Sequence, residues 1–239
     1  MNNKIEKTTN ILFLFLLVSI GVYSFIYTFK INLFKIEKVL ISGNEFVDNQ
    51  TIKNIINEDI KNKNIYDVNL SDINYKIDKN SFIQNVKTYT ELPSTISIHV
   101  NEINPVMLYQ EHNTYYLIDE KHKKIKANIN AINFFSVPIL TEYDKITQSD
   151  NKQIVNSLKI LAIENHGLYN SINEIKIKNE NILLIINNTT VKINRDNVKD
   201  NVLKLLTFNK EIKDHNSIDS YKYIDLTIPN QIIVKDKII

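Results

Sequence analysis

"ELPSTISIHVNEINP", residues 91–105, decides how the chain is read. Ile96, Ile98 and Val100 alternate with Ser97, His99 and Asn101. A period of two marks a strand with one buried face. Ile96, Ile98 and Val100 are expected to face a core, and Ser97, His99 and Asn101 to face solvent. The chain has only four prolines, and two of them, Pro93 and Pro105, bracket this strand. Pro93 presets φ and lacks an N–H, which suits the corner between two antiparallel strands. Pro105 is expected to mark where regular pairing stops.

Toward the N-terminus, "IQNVKTYTE", residues 83–91, reads as the strand before that corner. Ile73 and Ile77 stand at helical spacing, with Ser71 as the expected cap. "KNKN" at 61–64 reads as a loop. Before it, Ile52, Ile55, Ile56 and Ile60 predict another helix, capped by Asp48 or Asn49. "KIEKVLIS", residues 35–42, is rich in β-branched residues and stops at the turn signal Gly43-Asn44. The predicted order is β-α-α-β-β, with short strands covered on one face by two helices.

Toward the C-terminus the pattern changes. Residues 106–110 and 115–119 predict a hairpin with His112-Asn113 near its turn. Pro138 follows the apolar run "NFFSV". Asp150 is expected to cap a helix carrying Ile154, Val155, Leu158, Leu161 and Ala162, with Gly167 as its C′ residue. "EIKIKNENILLIINNTTVKIN", residues 174–194, predicts two or three strands turning near Asn187-Asn188. Asp196 precedes a helix with Val198, Val202, Leu205 and Leu206. "YKYIDLTIPNQIIVK", residues 221–235, is a strand pattern broken by Pro229. This second unit is mixed and strand-rich, so the fold class is α+β.

"ILFLFLLVSIGVYSFIYTF", residues 11–29, contains no charge. As a helix at 1.5 Å per residue it spans roughly 28 Å, close to the ~30 Å hydrocarbon core of a bilayer. A buried core helix would show a polar face, and this segment has none. A cleaved signal peptide would have a shorter apolar run ending at small residues, whereas Tyr23, Phe25, Tyr27 and Phe29 occupy that zone. An uncleaved anchor is the expected reading, with Tyr23 and Tyr27 near the far interface. Lys4 and Lys7, offset by Glu6, lie before it, and Lys30, Lys35 and Lys38 after it, so charge alone does not choose an orientation. No second span follows, and the rest of the chain is expected on one side of the membrane.

Composition and motifs exclude several functions. The net charge of +2 leaves no nucleic-acid footprint. With no cysteine there is no cysteine nucleophile, thiolate zinc site or disulfide. There is no G-x-S-x-G elbow, P-loop, H-E-x-x-H or G-x-G-x-x-G. His99, His112, His122, His166 and His215 have no metal-ligand spacing and read as surface or turn residues. Asp119-Glu120 would point to opposite faces of a strand, so the pair reads as part of a turn. "EKHKKIK", residues 120–126, is basic enough to attract anionic headgroups or nucleic acid, but reads best as a solvated hairpin tip. No catalytic residue, cofactor, metal site or small-molecule substrate is expected.

Taken in order, these segments resemble the FtsQ/DivIB family of bacterial cell-division proteins. "FKIEKVLISGNEFVDNQTI" resembles the first strand, Gly-Asn turn and helix start of the family's POTRA domain. Pro93, Glu102 and Pro105 resemble its Pro, alternating strand and Glu-x-x-Pro. "YYLIDEKHKKI" resembles the Tyr-Leu-x-Asp segment that opens the β domain, "VPIL" the Leu-Pro-x-Leu after it, and "YIDLTIPNQIIVK" the terminal Asp-Leu-Arg strand. Two features depart from the pattern: "EKHKK" replaces the usual Gly, and Thr227 stands where many relatives carry Arg. The resemblance implies a cytoplasmic tail at 1–10, a transmembrane helix at 11–30, a POTRA domain at 34–102 and a β domain at 103–239. It also implies a non-catalytic, single-pass type II scaffold of the inner membrane and division septum, periplasmic in bulk, that binds FtsB and FtsL for septal peptidoglycan synthesis. The alternatives are a POTRA-bearing export or assembly factor, which needs a C-terminal barrel, and a membrane-anchored wall hydrolase.

The terminal segment is the expected partner-binding site. No later strand is expected to cover it, so its backbone groups are expected to be free to accept an incoming strand. Thr227, Ile228, Asn230, Gln231, Ile232, Val234 and Lys235 are the candidate contact residues. An ordinary inner strand remains the other reading of the same pattern.

Overall fold

A computed structural model describes residues 2–30, 32–142 and 146–237, leaving aside the side chains of 2–8 and 28–30. Helix α1 spans Asn2–Lys30. Its segment Thr9–Tyr27 is the one candidate membrane span among the described residues, and none of its side chains is buried. The flanking charges of Lys4, Glu6, Lys7 and Lys30 fall outside the described side chains. Chain contacts divide the molecule into residues 1–102 and 103–239.

The first unit continues with β1 (Lys38–Ser42), α2 (Asn49–Ile60), α3 (Leu70–Asp78), β2 (Ile83–Glu91) and β3 (Thr95–Glu102). This is the β-α-α-β-β order read from the sequence. β3 is central, parallel to β1 and antiparallel to β2. Ile96, Ile98 and Val100 meet Ile52, Ile56, Ile73 and Ile77 in one core. Each fully buried Ile contributes about 1.5–3 kcal/mol of transfer free energy. Ser97 departs from the simple alternation: it is buried at 4% exposure, because its hydroxyl donates to Glu91 Oε1 at 2.6 Å. Asp48 caps α2 through Thr51 N–H. Asn69, not Ser71, caps α3, since its Oδ1 accepts from the N–H groups of Ser71 and Asp72.

Glu102 gives the Glu-x-x-Pro pattern a physical meaning. Its two carboxylate oxygens accept from Phe46 N–H at 2.9 Å and Val47 N–H at 2.7 Å. The last residue of β3 therefore clamps the loop between β1 and α2. Gly43 in that loop has φ +80°, and a Cβ there would lie 2.1 Å from the Val100 carbonyl oxygen, so no other residue fits.

The second unit holds β4 (Pro105–Glu111), β5 (Thr114–Asp119), β6 (Lys124–Lys126), α4 (Ile129–Phe135), β7 (Ile139–Thr141), α5 (Gln148–Glu164), α6 (His166–Asn170), β8 (Ile172–Lys178), β9 (Asn181–Ile186), β10 (Thr189–Asn194), α7 (Val198–Ile212), β11 (Tyr221–Asp225) and β12 (Ile233–Asp236). The strands form one nine-stranded sheet in the order β12-β11-β10-β9-β8-β7-β4-β5-β6. The sheet is open and ends on two edges, unlike the closed barrel an export factor would need. α5 and α7 supply Ile154, Val155, Leu158, Leu161, Val202 and Leu205 to its core. Pro105 opens β4 instead of ending a strand, where its missing N–H costs little.

Two capping expectations are corrected. Thr147 caps α5, and Asp150 is the third helical residue of a capping box with it. Asp150 also meets Arg195 at 2.5 Å. The Arg195 hydrogen bond, opposed by burial and aided by Thr147, holds the Asp150 carboxyl down to about 2. Gly167 is not a C′ residue. Asn165 ends α5 and at once caps α6 through Leu168 N–H, so Gly167 lies within that short helix.

Candidate partner-binding edge

Among the described residues, β12 is the outer strand at one end of the nine-stranded sheet, paired antiparallel with β11 alone. The ladder covers Ile233–Asp236, shorter than the Thr227–Lys235 stretch expected from sequence, and it takes in Asp236, which that reading left out. Val234 and Lys235 lie in the strand. Thr227, Ile228, Asn230, Gln231 and Ile232 lie in the loop that leads to it. Pro229 and Asn230 (φ +57°) form that loop's turn, closed by Gln231 N–H donating to Ile228 O at 3.3 Å. Pro followed by a positive φ is the type II signature.

Register fixes which backbone groups are open. Leu226 N–H donates to Lys192 O of β10, so alternation along β11 turns Tyr223 and Asp225 toward β12. These residues oppose Lys235 and Ile233. Lys237 N–H, two residues past Lys235, donates inward to Ser220 O at 3.1 Å. Ile233 and Lys235 therefore bond inward, and Val234 and Asp236 direct their N–H and C=O groups out of the sheet. All four β12 side chains are exposed, Ile233 at 49% and Val234 at 39%.

The loop is held by polar bonds. Asp225 Oδ1 accepts from Thr227 N–H at 2.9 Å and Thr227 Oγ1 at 2.6 Å; its Oδ2 accepts from Lys192 Nζ and Tyr223 OH, both at 3.1 Å. Burial pushes the Asp225 carboxyl up, but the bonds from Thr227 and the Lys192 ammonium outweigh it and hold the group below its ordinary value. Burial first, then the Asp225 charge, pushes the Tyr223 phenol up to about 12. Thr227 is thus engaged inside the edge, with its hydroxyl committed to Asp225. From the other side, Lys204 of α7 donates to Leu226 O at 3.2 Å, Ile228 O at 2.7 Å and Gln231 O. A cleft of about 520 Å³ opens between α7 and this loop. Sequence reading had no means of finding Lys204, because its acceptors are backbone atoms 22 to 27 residues away.

The opposite edge, β6, is built differently. Ile125 is buried at 1% exposure. Lys124 lies over the ring of Tyr116, 4.1 Å from its centroid, and pairs with Glu111. Asp119 closes the preceding turn, its Oδ1 accepting from Lys121 N–H and Lys123 N–H. The basic stretch at 120–126 is therefore a turn and a three-residue strand. Among the described residues no group of three or more His, Cys, Asp and Glu is placed to hold a metal ion.

Comparison with known proteins agrees with this architecture. Residues 34–102 match the model of the FtsQ-type POTRA domain, and residues 107–227 match that of the FtsQ/DivIB C-terminal domain. The cell division proteins FtsQ of Rickettsia felis and Rickettsia conorii are each 32% identical over 96 residues, and that of Rickettsia bellii is 33% identical. The aligned stretch is 40% of this chain and 36% of each relative's length. The solved extracytoplasmic domain of the cell division protein DivIB from Geobacillus stearothermophilus aligns at 12% identity and a TM-score of 0.33, covering 49% of this chain and 99% of that one. With an FtsQ-type POTRA domain followed by the FtsQ/DivIB C-terminal domain, the chain belongs to the FtsQ/DivIB family of cell-division proteins.

Proposed function

We propose that this chain is a non-catalytic scaffold of the division machinery that holds FtsB- and FtsL-type partners. Residues 11–30 anchor it in the inner membrane with the N-terminus inside, and the POTRA unit at 34–102 and β domain at 103–239 act on the outer side at the septum. Its activity is binding, and it brings septal peptidoglycan synthesis to the division site through those partners. The observation that carries this reading is β12, an edge strand with outward backbone groups at Val234 and Asp236 and no side chain buried. An incoming extended segment gains affinity from those backbone bonds and specificity from alternate side chains.

The test is co-purification of FtsB with the full chain from membranes. Val234→Pro removes an outward donor and spares the inward pairs with β11. It should weaken FtsB binding at least tenfold while the melting of the protein stays unchanged. Full binding by a folded Val234→Pro variant defeats the proposal. Ile232 precedes the ladder, so proline there does not probe the edge.

A further inference from the structure

We infer that Lys204 is the positioning residue of the binding edge, and this rests on the reading of β12 as the partner site. β12 has little support from its own side chains. None of its side chains is buried, and among the described residues its one neighbour in the sheet is β11. The loop before it is equally open: Ile228, Pro229, Asn230 and Gln231 are all exposed. Leu226, buried at 1% exposure, and Ile232, packed against the core, hold the two ends of this path, and what fixes the exposed stretch between them is polar. Leu226, Ile228 and Gln231 turn their carbonyl oxygens to one point, and the Lys204 ammonium sits there. An ammonium has three donors that rotate freely, and three acceptors converge on it. A guanidinium presents its donors in a rigid planar fork and matches three converging carbonyls less well.

The far end of the strand is tied in the same way. Lys237 Nζ donates to Asp219 O and Lys237 N–H to Ser220 O. The edge is therefore a short ladder bracketed by two lysine staples, and the one on α7 sets where β12 begins. Without it, the strand keeps its sequence and its open backbone groups, but they are no longer held in line for an incoming segment. The ordering then falls on the binding step and lowers affinity.

The experiment compares the full chain in detergent with Lys204→Met, which keeps the stem and removes the ammonium, and with Lys210→Met on the same helix as a control. The inward amides of Ile233 and Lys235 should exchange at least tenfold faster in Lys204→Met, with the amides of β4 and β5 unchanged. FtsB binding should weaken about tenfold at unchanged global melting. Lys204→Arg should fall between wild type and Lys204→Met in both measurements. Unchanged exchange in β12 overturns the staple even if Val234→Pro still abolishes binding. Faster exchange with binding unaffected by both Lys204→Met and Val234→Pro overturns instead the reading of the edge on which the proposal rests.

Discussion

The nine-stranded sheet ends in two edges, and they meet water on different terms. β6 is three residues long, buries Ile125 beneath it and carries Lys124 and Lys126. Short strands and lysines are the ordinary ways of stopping an edge from pairing with another chain. β12 buries nothing and offers Ile233 and Val234 to solvent. Sheet membership alone therefore says little about availability. One edge is anchored by its side chain and closed to addition; the other is anchored by its main chain and left open.

The largest contrast is expected in stability. Ile125→Ala removes a fully buried side chain and should cost about 2–5 kcal/mol, whereas Ile233→Ala should stay within about 0.5 kcal/mol. Urea denaturation followed on the second unit's tyrosines measures both. Equal costs at the two positions would mean that β12 is covered in solution.

Binding should show the reverse preference. Val234→Pro is expected to weaken FtsB binding at least tenfold, or about 1.4 kcal/mol. Lys126→Pro, at the other edge, should change it less than twofold. If Lys126→Pro has the larger effect, the assignment of the open edge is inverted.

The smallest difference is one of pH. Asp225 has its folded pKa lowered, so its contribution to the β11–β12 end is full above 3.8 and is lost as pH falls through the folded value. Lys124 has its pKa raised, first by the Glu111 hydrogen bond and then by Tyr109, so its contribution is full below 10.5 and is lost as pH rises through the folded value. Each edge contains one reporter, Ile233 or Ile125. Methyl NMR should show Ile233 loosening first in acid and Ile125 first in alkali. An Ile233 methyl unmoved in acid, or an Ile125 methyl unmoved in alkali, would show that the ion pair at that edge does not tether it.

The first unit was legible because its signals are local. Ile96, Ile98 and Val100 repeat every two residues, and the α2 and α3 isoleucines every three or four. Ser97 was misread because its burial depends on Glu91, a partner across a turn. The caps at Asn69 and Thr147 were missed by two or three residues, since Ser71 and Asp150 carry the same chemistry nearby. In the second unit, β12 was legible as an edge candidate because no later strand was expected. Its start was misplaced because residues 227–232 keep strand-like composition, and what holds them as a loop is the Pro229-Asn230 turn together with Asp225 and Lys204, the last of these far along the chain. Pattern reads neighbours in sequence, and the site is made by neighbours in space.

The bare surface of β12 has a consequence for how such a chain can evolve. A strand held by main-chain bonds and two end ties makes few demands on its own side chains. Its letters can drift while its geometry persists. The family match in this chain stops at residue 227, six residues before β12 begins at Ile233. If β12 is the partner site proposed above, exchanging this chain for a relative from another lineage is expected to fail first at this strand, although the folds remain alike.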